Sequence, residues 1–169
     1  EQKLEEIDNI FIERCQVVAD LVAECHSLIV HLKIEEQEEL SEVEQQIMGT
    51  ASLMQSLPEE EFNFDFFGSS EGTENCVGVS GKSVKKLENK KKDLSDEIKR
   101  RKDLLEDMGQ KILALWQELE SPLEERKHFT DNVNGIGIKT IELGRTELQR
   151  LTNLKSNSFA NLVHKQRTL

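Results

Sequence analysis

Gly78-Val-Ser-Gly-Lys-Ser83 is the first stretch whose residue types could do chemistry, since a Gly-Lys-Ser run can cradle phosphate at the start of a helix. A phosphate loop also needs a glycine five residues before Gly81, and that position holds Cys76. It needs a buried strand in front, and the residues there are Glu71-Gly-Thr-Glu-Asn-Cys76. A nucleotide-handling enzyme is therefore the weakest of three readings. The histidines are His26, His31, His128 and His164. The first two stand five apart, so they do not share a helix face as an i,i+4 metal pair would. Cys15, Cys25 and Cys76 are odd in number and lack Cys-x-x-Cys spacing, which reads as free thiols in a reducing compartment. No Ser, His and Asp set, no Cys and His pair and no paired carboxylates stand on a recognisable scaffold. The sequence is read as non-enzymatic, with no catalytic residue, no metal and no cofactor.

Binding chemistry is a matter of charge blocks. The chain has 33 acidic and 22 basic residues, a formal net charge of -11. Residues 1–61 carry 16 acidic and three basic side chains, whereas 82–102 carry ten basic and four acidic. A third block, 126–169, is basic as well, eight to three. The run Lys85-Lys86, Lys90-Lys91-Lys92, Lys99-Arg100-Arg101-Lys102 lacks interleaved aromatics for stacking on bases, so no nucleic-acid partner is expected. Such blocks favour docking of the chain on itself or on an oppositely charged helix, against the plain alternative of solvated helix faces. No stretch approaches the ~18 uncharged apolar residues of a membrane span and no signal peptide opens the chain, so no membrane partner is expected.

The elements that would carry these side chains follow from apolar periodicity. Leu4, Phe11, Val18, Cys25 and Leu32 form one seven-residue row, and Ile7, Arg14, Leu21 and Leu28 the other. This spacing predicts a long amphipathic helix. After Leu32 the next seam residue is Leu40, a step of eight, and a new phase runs Leu40, Val43, Ile47, Met54, Leu57. With no Gly or Pro there, one helix over 1–57 is expected, kinked or briefly interrupted near 33–37 and ended by Pro58. Residues 58–81 are an acidic, Phe- and Gly-rich loop holding Phe62, Phe64, Phe66 and Phe67. That length suggests a role: a greasy clip on the helices, an edge strand, or a partner-docking motif. Residues 82–120 repeat the beat for five heptads, with Val84, Lys91, Ile98, Leu105, Ile112 and Leu119 in one row and Leu87, Leu94, Arg101, Met108 and Leu115 in the other. Such a helix would be about 58 Å long. Lys91 and Arg101 interrupt it, their stems packing while their charges reach out. Ser121-Pro122 marks a junction, with Ser121 able to cap a helix and Pro122 suited to its first position. A short helix and turn over 121–135 precede a final helix over 136–169. The helical pattern is already running at Glu1, without Met, and still running at Leu169, so an excerpt of a longer protein is expected. The fold class is all-α: an elongated rod of long antiparallel helices with coiled-coil or bundle-like packing.

One stretch carries more than a period: Ile112-Leu-Ala-Leu-Trp-Gln-Glu-Leu119, then Pro122-Leu-Glu-Glu-Arg126 and Phe129, then Leu148-Gln-Arg-Leu151 and Leu154-Lys155. It resembles the microtubule bundlers of the anaphase spindle elongation and protein-regulator-of-cytokinesis family, which includes the plant microtubule-associated cross-linkers. The likeness covers residues 84–167 well. It extends more loosely to Glu24-Cys-His-Ser-Leu28 and Leu32-Lys-Ile34. The signature positions are Leu115, Trp116, Leu119, Pro122, Glu124, Glu125 and Arg126, and they read as shape-determining, with Trp116 locking the corner between two helices.

The resemblance implies a structural rod or spacer in a microtubule cross-linker of the spindle midzone and of cytokinesis. It implies a homodimer in the full-length protein, with microtubules held through a domain outside this chain. A kinesin or midzone scaffold partner is a further implication. It places the protein in the cytoplasm on the cytoskeleton, at the spindle and its midzone, and in the nucleus in interphase. The rival reading is a generic coiled-coil adaptor or tethering scaffold with the Phe-rich loop as its ligand. A simple coiled coil would carry its heptads past residue 121, and this chain stops there and restarts in a new phase.

Overall fold

The computed structural model describes residues 2–32, 34, 39–57 and 76–167. They form five α-helices: α1 (Gln2–Leu32), α2 (Glu42–Ser56), α3 (Gly81–Glu118), α4 (Leu123–Asn132) and α5 (Ile138–Arg167). No strand occurs among the described residues. The chain divides into two compact units, Glu1–Glu97 and Ile98–Leu169, and α3 contributes to both. The loop phenylalanines Phe62, Phe64, Phe66 and Phe67, with Pro58, lie outside the described residues, as do Lys33 and Glu35–Gln37, where the kink was placed.

In the first unit the stretch 1–57, expected as one helix kinked or briefly interrupted near 33–37, holds α1 and α2, with Glu39–Ser41 non-helical before α2. The restart has a local cause. Glu44 stands three residues after Ser41 and accepts hydrogen bonds from the Ser41 backbone N–H at 2.8 Å and the Ser41 hydroxyl at 2.7 Å. This is the glutamate half of a capping box, which favours starting a helix at Glu42. Glu44 also accepts from Lys90 Nζ of α3 at 2.6 Å and is itself buried. Burial alone would raise its pKa; Lys90 and Ser41 outweigh burial and hold the carboxyl below its usual range.

The core of this unit is the buried face of α1, Cys15, Val18, Val22, Cys25, Ile29 and Leu32, with Ile47 and Ala51 of α2, Leu87 and Leu94 of α3, and Val77 and Val79 before α3. α1 is long and apolar enough to cross a membrane by length and composition, and this packed face explains that apolarity within the fold. The Thr50 hydroxyl oxygen accepts from the Val77 N–H at 2.9 Å, while Glu44 meets Lys90. Moving back along α2 thus moves forward along the chain into α3, so α2 and α3 are antiparallel. The acidic block touches the basic one here, since Glu24 pairs with Lys91 and Glu44 with Lys90. The Cys25 thiol donates to the Leu87 carbonyl at 3.7 Å.

In the second unit Met108 Cε lies 3.2 Å from where a Gly144 Cβ would sit, and Lys155 meets Glu118 at 2.8 Å. Both contacts advance together along the two chains, so α3 and α5 run in the same direction. The antiparallel element is the short one. Ten residues of α4 return the chain past the end of α3, and α5 then begins well before the level of Trp116. The all-α class expected from the sequence holds, and in this unit the return of the chain is made by the short helix. Arg101 departs from expectation: it is 4% exposed, so its head is buried with its stem.

Burial pushes the Cys25 thiol up to about 11, with Glu24 adding to the rise. Cys15 is buried and Cys76 is partly exposed. A native thiol titration at pH 8 with an aromatic disulfide reagent should therefore give one fast equivalent, from Cys76. Denaturation should release the other two. A fast reaction of Cys25 in the native protein would contradict this packing.

Candidate functional site

The site that the signature residues build is a corner in the second unit. Its apolar floor is Ile112 and Trp116 of α3 with Leu151 of α5, and Leu115, Leu119, Phe129 and Leu148 pack against it. Phe129 of α4 meets the Trp116 ring edge-on, with centroids 5.7 Å apart and planes at 81°. That is the favoured T-shaped aromatic pairing. A buried indole brings an N–H that must find an acceptor. Trp116 Nε1 donates to Glu147 Oε1 of α5 at 3.0 Å.

Glu147 is itself buried, and a buried carboxylate needs compensation. Arg150, one turn on, donates from Nε to Oε2 at 2.8 Å and from Nη2 to Oε1 at 2.9 Å. This two-pronged contact is the main cause of a Glu147 pKa held below the usual range, against the opposing effect of burial, with the indole bond adding to it. Arg150 Nη2 also reaches Glu125 Oε2 of α4 at 3.3 Å. Indole, carboxylate, guanidinium and a second carboxylate thus form one chain of bonds across three helices.

The backbone closes the corner from the other side. The Ser121 N–H donates to the Trp116 carbonyl at 3.0 Å and the Glu120 N–H to the Gln117 carbonyl at 3.3 Å. Glu120 has φ 49°, the left-handed region. Together these are a Schellman ending for α3, with Pro122 just beyond it. Arg126 then donates from Nη2 to the Trp116 carbonyl and from Nε to the Ser121 carbonyl, both at 2.9 Å. One arginine ties the last turn of α3 to the first turn of α4. Ser121 does not cap α4 as the sequence suggested. Pro122 occupies the N-cap position without a side-chain bond, and Ser121 belongs to the ending of α3.

The structure therefore brings Leu115, Trp116, Leu119 and Arg126 to one place, and Glu125 joins them through Arg150. Pro122 sets the start of α4. Glu124 is exposed and lines an open groove of about 780 Å³ with Glu125, His128, Phe129 and Arg150 among its walls. The sequence reading missed Glu147. It stands on the same helical face as Gly144 and Leu151, and a carboxylate on an apolar row, near a lone tryptophan, is the signal that could have found it. Among the described residues no buried side-chain nitrogen or oxygen lacks a partner, so the corner's polar groups are consumed within the fold.

Trp116→Ala should cost about 3–5 kcal/mol, the usual loss for a truncated core aromatic, read as a fall in Tm. Glu120→Gly should raise stability by about 1 kcal/mol, because glycine removes the left-handed penalty at that position. The Glu147 contribution is present above the ordinary carboxylate range, near pH 4.5, and is lost as pH falls through its depressed native value. Chemical denaturation of Glu147→Gln should accordingly show a shallower loss of stability on acidification than the parent chain.

Comparison with known proteins identifies a family. The family model described as Microtubule associated protein (MAP65/ASE1 family) aligns with residues 2–168, all but the two terminal residues of the chain. No individual curated protein and no solved structure matches it significantly. The match spans both units and includes every residue of the corner. The chain belongs to the MAP65/ASE1 family, structural proteins of the cytoskeleton that associate with microtubules and bundle them.

Proposed function

We propose that this chain is a rod or spacer segment of a microtubule cross-linker that works in spindle-midzone bundling and cytokinesis. The observation that carries the reading is the corner at Trp116. Its side-chain and backbone bonds fix how α3, α4 and α5 meet, and its polar groups bond to one another. Such a site holds a shape, and a spacer needs a held shape. The family match supplies the microtubule context.

In this reading the full-length protein is a homodimer and microtubules are gripped by a domain outside these 169 residues. A chain of net charge -11 is repelled by the acidic surface of tubulin, which favours a grip located elsewhere. A kinesin or another midzone scaffold is the expected further partner. The expected locations are the cytoplasm, spindle and midzone, with the nucleus in interphase.

Two measurements on the 169-residue chain test this. Small-angle scattering with mass determination should give a radius of gyration well above the ~15 Å of a compact globule of this length. Co-sedimentation with stabilised microtubules at physiological salt should leave the chain in the supernatant. A radius near the globular value would overturn the spacer reading, and salt-resistant pelleting would overturn the placement of the grip outside this chain.

A further inference from the structure

Two helix ends run on past the packing that holds the rest of their helices. In the first unit every residue of α1 from Gln2 to Arg14 is exposed. In the second unit α5 reaches the end of α3 where Lys155 meets Glu118. From there to Arg167 only Val163 is less than exposed. Each end covers about 18 Å of helix.

Both ends stay apolar on the face that is buried further along. On α1, Leu4, Ile7 and Phe11 precede the buried Cys15 and Val18 at steps of three and four. Leu4 is 65% exposed, Ile7 62% and Phe11 38%. On α5, Phe159 and Leu162 follow the buried Leu151, whose face meets Trp116 and Leu119. Phe159 is 68% and Leu162 62% exposed. With Leu119, Thr152 and Lys155 they line a groove of about 500 Å³ at the end of α3. Solvating contiguous stripes of this kind is costly, and such stripes mark contact surfaces.

The two ends differ in charge. Residues 2–14 carry Glu5, Glu6, Asp8 and Glu13 against Lys3 and Arg14. Residues 148–167 carry Arg150, Lys155, Lys165 and Arg167 and no acidic side chain. Like on like would set acids against acids or bases against bases, so neither end complements itself. Acidic on basic brings opposite charges together around two apolar stripes of equal length. The fold already uses this pairing once, where α1 meets the basic start of α3 through Glu24 and Lys91.

We propose that the acidic end of α1 in one copy of the chain docks antiparallel on the basic end of α5 in a second copy, with Leu4, Ile7 and Phe11 entering the groove at Phe159 and Leu162. This direction sets Lys165 and Arg167 near Glu5 and Glu6 and opposes the two helix dipoles. Each copy has one end of each kind, so the contact is heterologous and runs from copy to copy or closes a ring. It rests on these two ends alone and is separate from the homodimer inferred for the full-length protein.

Sedimentation equilibrium of the full 169-residue chain over a wide concentration range tests this. The weight-average mass of the parent chain should rise from that of one copy to at least that of two. Leu4→Ser, Ile7→Ser and, separately, Phe159→Ser, Leu162→Ser should each hold the mass at one copy. Their Tm should not move, since all four positions are exposed. Mixed, the two variants should pair, because one retains the intact α5 end and the other the intact α1 end. A parent chain that stays single at every concentration would overturn the proposal, whether its ends stay bare or meet within one copy. Association of either variant by itself would overturn it as well, being the mark of like on like or of another surface. So would a mixture that stays single. Should a serine variant melt early, Glu5→Lys, Glu6→Lys and Lys165→Glu, Arg167→Glu are read in its place. Each of these pairs should raise the dissociation constant at least tenfold. The chain carrying all four changes should recover the parent value, and a failure to recover it would count against the proposal.

Discussion

A tryptophan placed two residues before the end of a long helix creates two demands at once. Its indole N–H is buried and needs an acceptor, and its carbonyl belongs to the last turn, where the helix supplies no partner. Glu147 answers the first demand and Ser121 with Arg126 the second. Each answer fixes an element. Glu147 sets the rotation of α5 and brings Arg150 with it, and Arg150 reaches Glu125 of α4. Arg126 sets the start of α4 against the end of α3. The apolar contacts of Ile112, Phe129 and Leu151 supply most of the burial, but they would tolerate sliding. The hydrogen bonds make one arrangement the satisfied one, since any slip leaves a buried donor or acceptor unpaired.

The first unit uses the same device with a different pair. Glu44 begins α2 by holding Ser41 and joins α2 to α3 by holding Lys90. One carboxylate thus serves local structure and packing together. Its depressed pKa records that the bonds outweigh burial. By contrast, Lys91 and Glu24 are both substantially exposed, and an exposed pair of this kind adds little to stability. Of these two contacts between the opposed charge blocks, the buried one therefore carries the more weight.

The all-α class was legible because apolar rows at helical spacing run through almost the whole chain. The stripe from Val84 lies on one helix as far as Glu118 because a single internal glycine, Gly109, is tolerated and no proline or strong phase change interrupts it. The break before α2 was harder to see. Without a proline or glycine, the signs were the step of eight from Leu32 to Leu40 and Ser41 followed by Glu44, a capping pattern short enough to be overlooked inside a charged run. The direction of α5 could not be read at all, because periodicity says which face is buried and not which way the chain returns. At the corner, Trp116 and Arg126 stood out as residue types, but nothing local paired either with its partner; a carboxylate on an apolar row was the one hint of Glu147. Glu147 lies 31 residues away, and the groups Arg126 holds are backbone carbonyls, which carry no sequence signature. Arg101 shows the opposite error, a charge assumed to reach solvent that the packing instead encloses.

The most direct measurement of the central claim is a double-mutant cycle on Trp116→Phe and Glu147→Met, followed by urea denaturation, since methionine keeps the length of the side chain and removes the acceptor. If the indole–carboxylate bond fixes the corner, the two changes should be coupled by about 1 kcal/mol or more, because each single variant already breaks the same buried bond. Additivity to within about 0.3 kcal/mol would contradict the account and leave the corner to apolar packing alone.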